Sequence, residues 1–405
     1  MSPRPLSRRS FLAAGAALAG VSRAVHAADD KLKIVSVDAY PVRLWANSTQ
    51  GALPKFTSDF DPRRWSYSGP YAQLAGALMV VIKTDQGHVG YGMGAGGAVG
   101  VQIIEGHLRN LLLGVNPLNI EMLWDQMYSS SLAYGRRGVF VMALSGVDNA
   151  LWDIYGKHVQ QPVWRLLGGT TKDKAQSYFT NANPEKGLEL GFEHFKLPIR
   201  NGLKDGRAGM QRTVDILTRA RDVIGPDRGL MIDCSSRWDD VAYTKEMARR
   251  LEDVRLYFIE EPLSPDNVLG YEQLVREVEG TLIASGEHEY THHGFNMLFR
   301  HHAVEVVQPD VTWCGGVTAV RRIAAMAHAE GLPLMPHRGG SLFGLPLALS
   351  QPNATLAESF GTGDYGTELM DAVTARFERG YYYPPEGPGF GTELTEDLIR
   401  RHVQP

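Results

Sequence analysis

Asp233, Glu260 and Glu287 constrain this chain more than any other feature. Each stands at or beside the end of a short apolar run, in GLMIDC, LYFIEEP and TLIASGE, and about 27 residues separate each from the next. A carboxylate at the end of a hydrophobic strand is costly to bury unless it is paired or holds a cation. The spacing is close to one β/α unit of an eight-stranded barrel. Acids at the carboxyl ends of three successive parallel strands would converge on one point. Three hard oxygen ligands, with no cysteine or histidine among them, favour Mg²⁺ over Zn²⁺.

The pattern around them is consistent with that reading. From about Lys174 onward, eight short apolar runs alternate with amphipathic helical stretches: AQSYFTN, EHFKLPI, GLMIDC, LYFIEEP, TLIASGE, VEVVQPD, LPLMPH and ATLAESF. Such alternation implies a parallel sheet with helical crossovers. No glycine-rich phosphate loop follows the first run, which argues against a dinucleotide-binding sheet. The expected fold is α/β, a barrel over residues 171–362. Residues 28–170 read as an α+β capping domain. It opens with a strand at 31–46 and a hairpin at 76–93 around Asp85-Gln86-Gly87. Helical periodicity then runs through Val101–Leu113, Ile120–Ser130 and Phe140–Lys157. Residues 47–74 show no clear period and read as a long mobile loop, of the kind that serves as a lid. Arg63 and Arg64 within it are candidates to reach an anionic substrate; a solvated loop charge is the alternative. The segment 363–405 is expected to pack back on the capping domain.

Bulk properties exclude several classes. Among 405 residues, 43% are hydrophobic and the formal charge is −4, so there is no basic footprint for nucleic acid. Cys234 and Cys314 cannot make a disulfide framework and are expected as small buried thiols. Residues 1–27 carry Ser7-Arg8-Arg9-Ser10-Phe11-Leu12, an apolar run to Val21 and Val25-His26-Ala27. This reads as a twin-arginine signal peptide, implying the twin-arginine export machinery as a partner and a periplasmic destination. The apolar run is too short to span a bilayer and no other segment could, so no stable membrane insertion is expected.

Barrel active sites lie at the carboxyl ends of the strands. Those ends carry Lys196, Asp233, Glu260, Glu287, Asp310, His337 and Glu358. Asp233, Glu260 and Glu287 form the expected metal set. Successive strand residues face opposite sides, so only one of Glu260 and Glu261 should point inward, and Glu260 is the expected one. Asp310 and His337 sit on adjacent strand ends, where a carboxylate on one ring nitrogen leaves the other free to act as a base. Glu358 is expected to hydrogen-bond to a bound carboxylate in its protonated form, which burial favours.

These stretches, with the run Gln308–Gly316 (QPDVTWCGG), Ser285-Gly286-Glu287-His288 and Ser145–Gly169, resemble the enolase superfamily in its mandelate racemase and muconate lactonizing branch, nearest the L-rhamnonate dehydratase group. The resemblance implies a (β/α)7β TIM-like barrel with an α+β amino-terminal capping domain. It also implies Mg²⁺-dependent dehydration of an acid sugar: His337 takes the C2 proton, then delivers it to the departing 3-hydroxyl, and a 2-keto-3-deoxy acid results. Lys196-Leu197-Pro198 has proline where many relatives carry a second lysine base, which favours one-base elimination. Lys196 either binds the substrate carboxylate or makes an ion pair, and His288 is expected to contact substrate. A homo-oligomer is implied. The rival readings are another lyase, cycloisomerase or epimerase on a carboxylate, and a periplasmic binding protein that keeps the site without turnover.

Overall fold

The computed structural model describes residues 31–44, 76–361, 366–392 and 394–404. The expected signal peptide at 1–27 and the whole expected loop at 47–74, with Arg63 and Arg64, lie outside them. The capping domain opens with an antiparallel sheet in sequence order, β1 (Ile34–Pro41), β2 (Ala77–Thr84) and β3 (Val89–Ala95). Gly87, at φ 84°, makes the tight turn between β2 and β3. An irregular helix over 97–112 and two regular helices follow, α1 (Ile120–Ser130) and α2 (Val139–His158). Helix α2 is apolar almost all round because it is buried on both sides. One side lies directly on β3. There every second residue is glycine, and a Cβ at Gly92 would stand 2.0 Å from the Gly146 carbonyl oxygen. The GYGMG pattern is what lets the helix approach so closely.

The barrel strands follow in chain order: β4 (Ala175–Thr180), β5 (His194–Pro198), β6 (Gly229–Asp233), β7 (Phe258–Glu260), β8 (Leu282–Ser285) and β9 (Val306–Val307). Each pairs in parallel with the next. Leu334 bridges Val307 on one side and Ala354 on the other, and β10 (Ala357–Ser359) returns to β4, closing the ring. All eight expected strands are present, although the seventh is reduced to a single bridging residue, Leu334. Seven helices lie between them: α3 (Pro184–Glu189), α4 (Gly206–Ile224), α5 (Val241–Arg250), α6 (Val268–Glu277), α7 (Thr291–Arg300), α8 (Gly316–Ala329) and α9 (Leu345–Ser350). This is the (β/α)7β barrel with its α+β cap.

Inside the ring, Tyr178, Met231, Phe258, Ala284, Val306, Met335 and Leu356 pack as one apolar cluster. They come from seven of the eight strand segments. The barrel is therefore plugged by side chains, and polar groups have room only beyond that plug, at the carboxyl ends. After β10, a short hairpin, β11 (Phe377–Glu378) and β12 (Tyr381–Tyr382), adds antiparallel to β4. The last helix, Glu396–Arg401, lies on the cap sheet: Glu396 takes Lys83 Nζ at 2.6 Å, and Val403 bridges Val42.

The two domains meet where α2 touches the start of α8. Helix α8 is preceded by Gly315, which has no side chain to cap it. Helix α2 supplies the cap instead. Ser145 Oγ accepts from the Gly315 N–H at 2.8 Å, and Asp148 accepts from Thr318 N–H at 2.9 Å and Thr318 Oγ1 at 2.7 Å. Burial pushes the Asp148 carboxyl up to about 7, against the Thr318 hydrogen bonds that pull it down. Asp148→Ala should cost about 2–3 kcal/mol, since it strands buried donors at a helix N-terminus. Thermal unfolding checks this, with Asp148→Asn, which keeps an acceptor, expected to lose less.

Candidate active site

The carboxyl ends of the strands converge on one buried polar layer directly above the apolar plug. Lys196, third residue of β5, is only 1% exposed, and its Nζ lies 2.7 Å from both Glu260 oxygens and 2.7 Å from Glu358 Oε1. Burial alone would lower a lysine's pKa; here Glu260 and Glu358 outweigh it and hold the ammonium charged. Of its two expected roles, the structure shows the ion pair.

Glu358 differs from its expected protonated form. Its Oε1 accepts from Thr180 Oγ1 at 2.6 Å as well as meeting Lys196, and its Oε2 accepts from the Arg338 N–H at 3.0 Å. Burial pushes the carboxyl up, but the Lys196 ammonium, with His337 beside it, outweighs burial and holds the group down at about 2. Glu358 is therefore an anion and an acceptor. Burial gave the wrong sign because it was considered without the lysine beneath it.

Asp310 and His337 form the expected pair, with Nδ1 to Oδ2 at 2.6 Å. The other oxygen, Oδ1, is filled by Thr312, whose N–H and Oγ1 both reach it at 2.6 Å. That division leaves Oδ2 to fix the ring. His337 Nε2 then faces the space between Glu287 Oε2 at 3.4 Å and Glu358 Oε2 at 3.5 Å. Burial disfavours the imidazolium, but Glu287, Glu358 and Asp310 outweigh it and raise its pKa, strengthening the ring as a base.

The metal pole departs from expectation in one respect. β7 ends at Glu260, and Glu261 takes a positive φ of 43°. Strand alternation stops there, so both carboxylates are turned into the site and both are buried. Both glutamates, and not Glu260 alone as strand alternation implies, therefore face inward. Glu260 lies in register with Asp233 and accepts from Gln308 Nε2 at 2.6 Å in addition to Lys196. Glu261 pairs with His288 Nδ1 at 2.8 Å, and ligand atoms of Glu261, Glu287 and His288 lie within 4.8 Å of one another. Burial lowers the basicity of His288, but Glu261 and Glu287 overcome it and lift its pKa to about 9. His288 thus lies against Glu261 and belongs, with Glu261 and Glu287, to the close group of possible metal ligands. The hard oxygen donors at this pole are Asp233, Glu260, Glu261 and Glu287.

Charge decides whether a cation fits. Four buried carboxylates (Glu260, Glu261, Asp310 and Glu358) and two partly buried ones (Asp233 and Glu287) face Lys196, His288 and the His337 imidazole. Burial, with the charges of Glu287 and Glu358 added to it, pushes the acids at Asp233 and Glu260 upward even against Lys196. A divalent ion bound by oxygen relieves that repulsion, and the nearest thiols, Cys234 and Cys314, are buried and free as expected. The sequence reading missed Trp313. Its ring lies 5.6 Å from His288, 5.2 Å from His337 and 5.3 Å from the Arg338 guanidinium, forming the wall that joins the base to the metal pole. Its place three residues after Asp310 was the available signal.

Residues 182–398 match the family described as enolase C-terminal domain-like, and residues 69–168 match the mandelate racemase and muconate lactonizing enzyme N-terminal domain. The chain belongs to the enolase superfamily. An L-rhamnonate dehydratase of Saccharopolyspora erythraea is 35% identical, covering 81% of this chain and 85% of that one. Among solved structures, the Mg-complexed rhamnonate dehydratase of Gibberella zeae superposes with a TM-score of 0.78 at 28% identity, over 92% of this chain and 97% of that one. The 3,6-anhydro-D-galactonate cycloisomerase of Zobellia galactanivorans gives 0.77, also at 28% identity, over 92% and 100%. For this enolase-superfamily site, separate substitutions distinguish the two adjacent glutamates. Glu260→Gln should weaken Mg²⁺ binding by at least about 100-fold, and Glu261→Gln by about 10-fold or less, as for a supporting group. Calorimetric titration with Mg²⁺ reads both.

Proposed function

We propose that the chain is a Mg²⁺-dependent acid-sugar dehydratase acting on an L-rhamnonate-like aldonate, with Asp233, Glu260 and Glu287 holding the ion. The observation that carries this reading is the Asp310–His337 pair, whose free nitrogen opens onto the gap between Glu287 and Glu358. Dehydratases among the relatives support the reaction class.

Bound Mg²⁺ supplies a Lewis acid for the substrate carboxylate and for the charge that develops on it. The chain's own residues do the rest. His337 Nε2 takes the C2 proton while Asp310 holds Nδ1 and stabilises the imidazolium. Lys196 lies between Glu260 and Glu358, where its ammonium holds both carboxylates in place. The imidazolium returns its proton to the 3-hydroxyl, which leaves as water, and the enol tautomerises to a 2-keto-3-deoxy acid. Pro198, at the end of β5, offers no base for the opposite face. Elimination served by one imidazole needs none.

The test is incubation of the protein with a set of aldonates and Mg²⁺, assaying 2-keto-3-deoxy acids. His337→Asn should lower turnover by at least about 10³-fold while leaving Mg²⁺ affinity within a few-fold. Activity retained in that variant removes His337 as the base. No product from any aldonate, with Mg²⁺ bound normally, removes the dehydratase reading.

We further propose export to the periplasm through the twin-arginine route, and self-association. Among the described residues no helix is long and apolar enough to cross a membrane. Replacing Arg8 and Arg9 together by lysine should hold the chain in the cytoplasm, as read by cell fractionation; unchanged distribution overturns export by that route. Light scattering on the purified protein reads the assembly.

A further inference from the structure

The segment carrying the catalytic dyad's carboxylate is held from behind by the capping domain. Between Val311 and Thr318, side chains of α1 and α2 reach the backbone repeatedly. Trp124 Nε1 donates to the Gly315 carbonyl at 2.7 Å, beside the Ser145 and Asp148 contacts already described. Asn149, fully buried, does more than any of them. Its Nδ2 donates to the Val311 carbonyl at 3.3 Å and to the Met93 carbonyl of β3 at 2.8 Å. Its Oδ1 accepts from the Val317 N–H at 3.2 Å. Two carbonyls on one side and an N–H on the other leave the amide a single orientation. One side chain therefore ties the cap sheet, the residue after Asp310 and the first turn of α8 together. Trp313, within the same segment, packs on Ala95 and Met142 of the cap.

We infer that Asn149 is a positioning residue for the reaction: through the Val311 carbonyl and the Val317 N–H it sets the backbone from which Asp310 grips His337. Asp310 has no freedom to adjust. Its Oδ1 is fixed by the Thr312 N–H of the same segment, so any rotation of that segment moves Oδ2 relative to the imidazole. Misplacement of a reacting group by about 1 Å can cost about 100-fold in rate. Loss of the Asn149 amide is expected to act through that term and not through substrate or metal binding.

The experiment compares Asn149→Ala and Asn149→Asp with Asp153→Asn. Asp153 lies one turn further along α2, and it holds Tyr91, Lys157 and Phe390 instead of the Asp310 segment. Asp153→Asn is the control for general loosening of α2. Two readouts are used. The first is the proton shared by His337 Nδ1 and Asp310, followed by NMR in histidine-labelled protein and identified by its loss in His337→Asn. It requires neither substrate nor metal. The second is the split between kcat and KM, which rests on the dehydratase reading. Asn149→Ala should shift or broaden the shared-proton resonance and lower kcat by about 100-fold, with KM within about 3-fold. Asp153→Asn should leave both near wild type. Asn149→Asp keeps the acceptor for Val317 and loses both donors, and should reproduce the effect if the alanine variant does not fold. An unshifted resonance and near-normal kcat in a folded Asn149 variant overturn the inference. So does an equal loss in Asp153→Asn, which would make the effect mere loosening. If the wild type turns over no sugar acid, the dehydratase reading fails while the resonance still decides the role of Asn149.

Discussion

Six carboxylates crowded above one apolar plug, four of them fully buried, create a repulsion that the rest of the site is arranged to contain. No isolated carboxylate could remain ionised at such burial. Lys196 lies beneath the layer, His288 at one edge and His337 at the other, and they offset the acids unequally: Glu260, on the same lysine as Glu358, is still pushed upward by burial. Glu358, beside Lys196, is held firmly anionic. Asp310, whose burial works against ionisation, is brought below the ordinary range by the hydrogen bond and charge of His337. The excess that remains lies at the pole of Asp233, Glu260, Glu261 and Glu287. A divalent ion is the natural complement there.

The backbone carries part of the cost of this convergence. Ser235 and Ser236 follow Asp233, Glu261 follows Glu260 and Arg338 follows His337, and all four hold positive φ angles without being glycine. Such conformations persist only where surrounding structure over-determines them. They turn the chain sharply at the strand ends, so side chains that would have pointed away are brought over the barrel mouth. The cap contributes from outside. Its glycine-lined strand brings α2 close, and α2 in turn supplies the hydrogen bonds that α8 and the preceding segment cannot make for themselves.

Much of this was legible in the sequence. Eight apolar runs at regular intervals, with helical stretches between them, admit few architectures, and an ionisable residue at nearly every strand end marks the face where chemistry occurs. The Asp310–His337 pair was readable from the same spacing. Two inferences failed for identifiable reasons. Strand alternation was extended one residue past the end of β7, where Glu261 no longer obeys it. Burial alone misassigns Glu358, because its charge state belongs to a pair with Lys196. Thr312, Thr180 and Trp313 went unnoticed because short polar side chains and a single tryptophan carry no periodic signal.

The sequence by itself determined the barrel, its cap and the identities of the groups at the strand ends, because periodicity and residue type are local properties that survive without coordinates. Tertiary structure alone decided which acid meets which cation, how both members of the Glu260–Glu261 pair turn inward, and how the cap braces the dyad. Those outcomes depend on distances of a few ångströms between residues far apart in the chain. Electrostatic energy in a low-dielectric interior changes steeply over such distances.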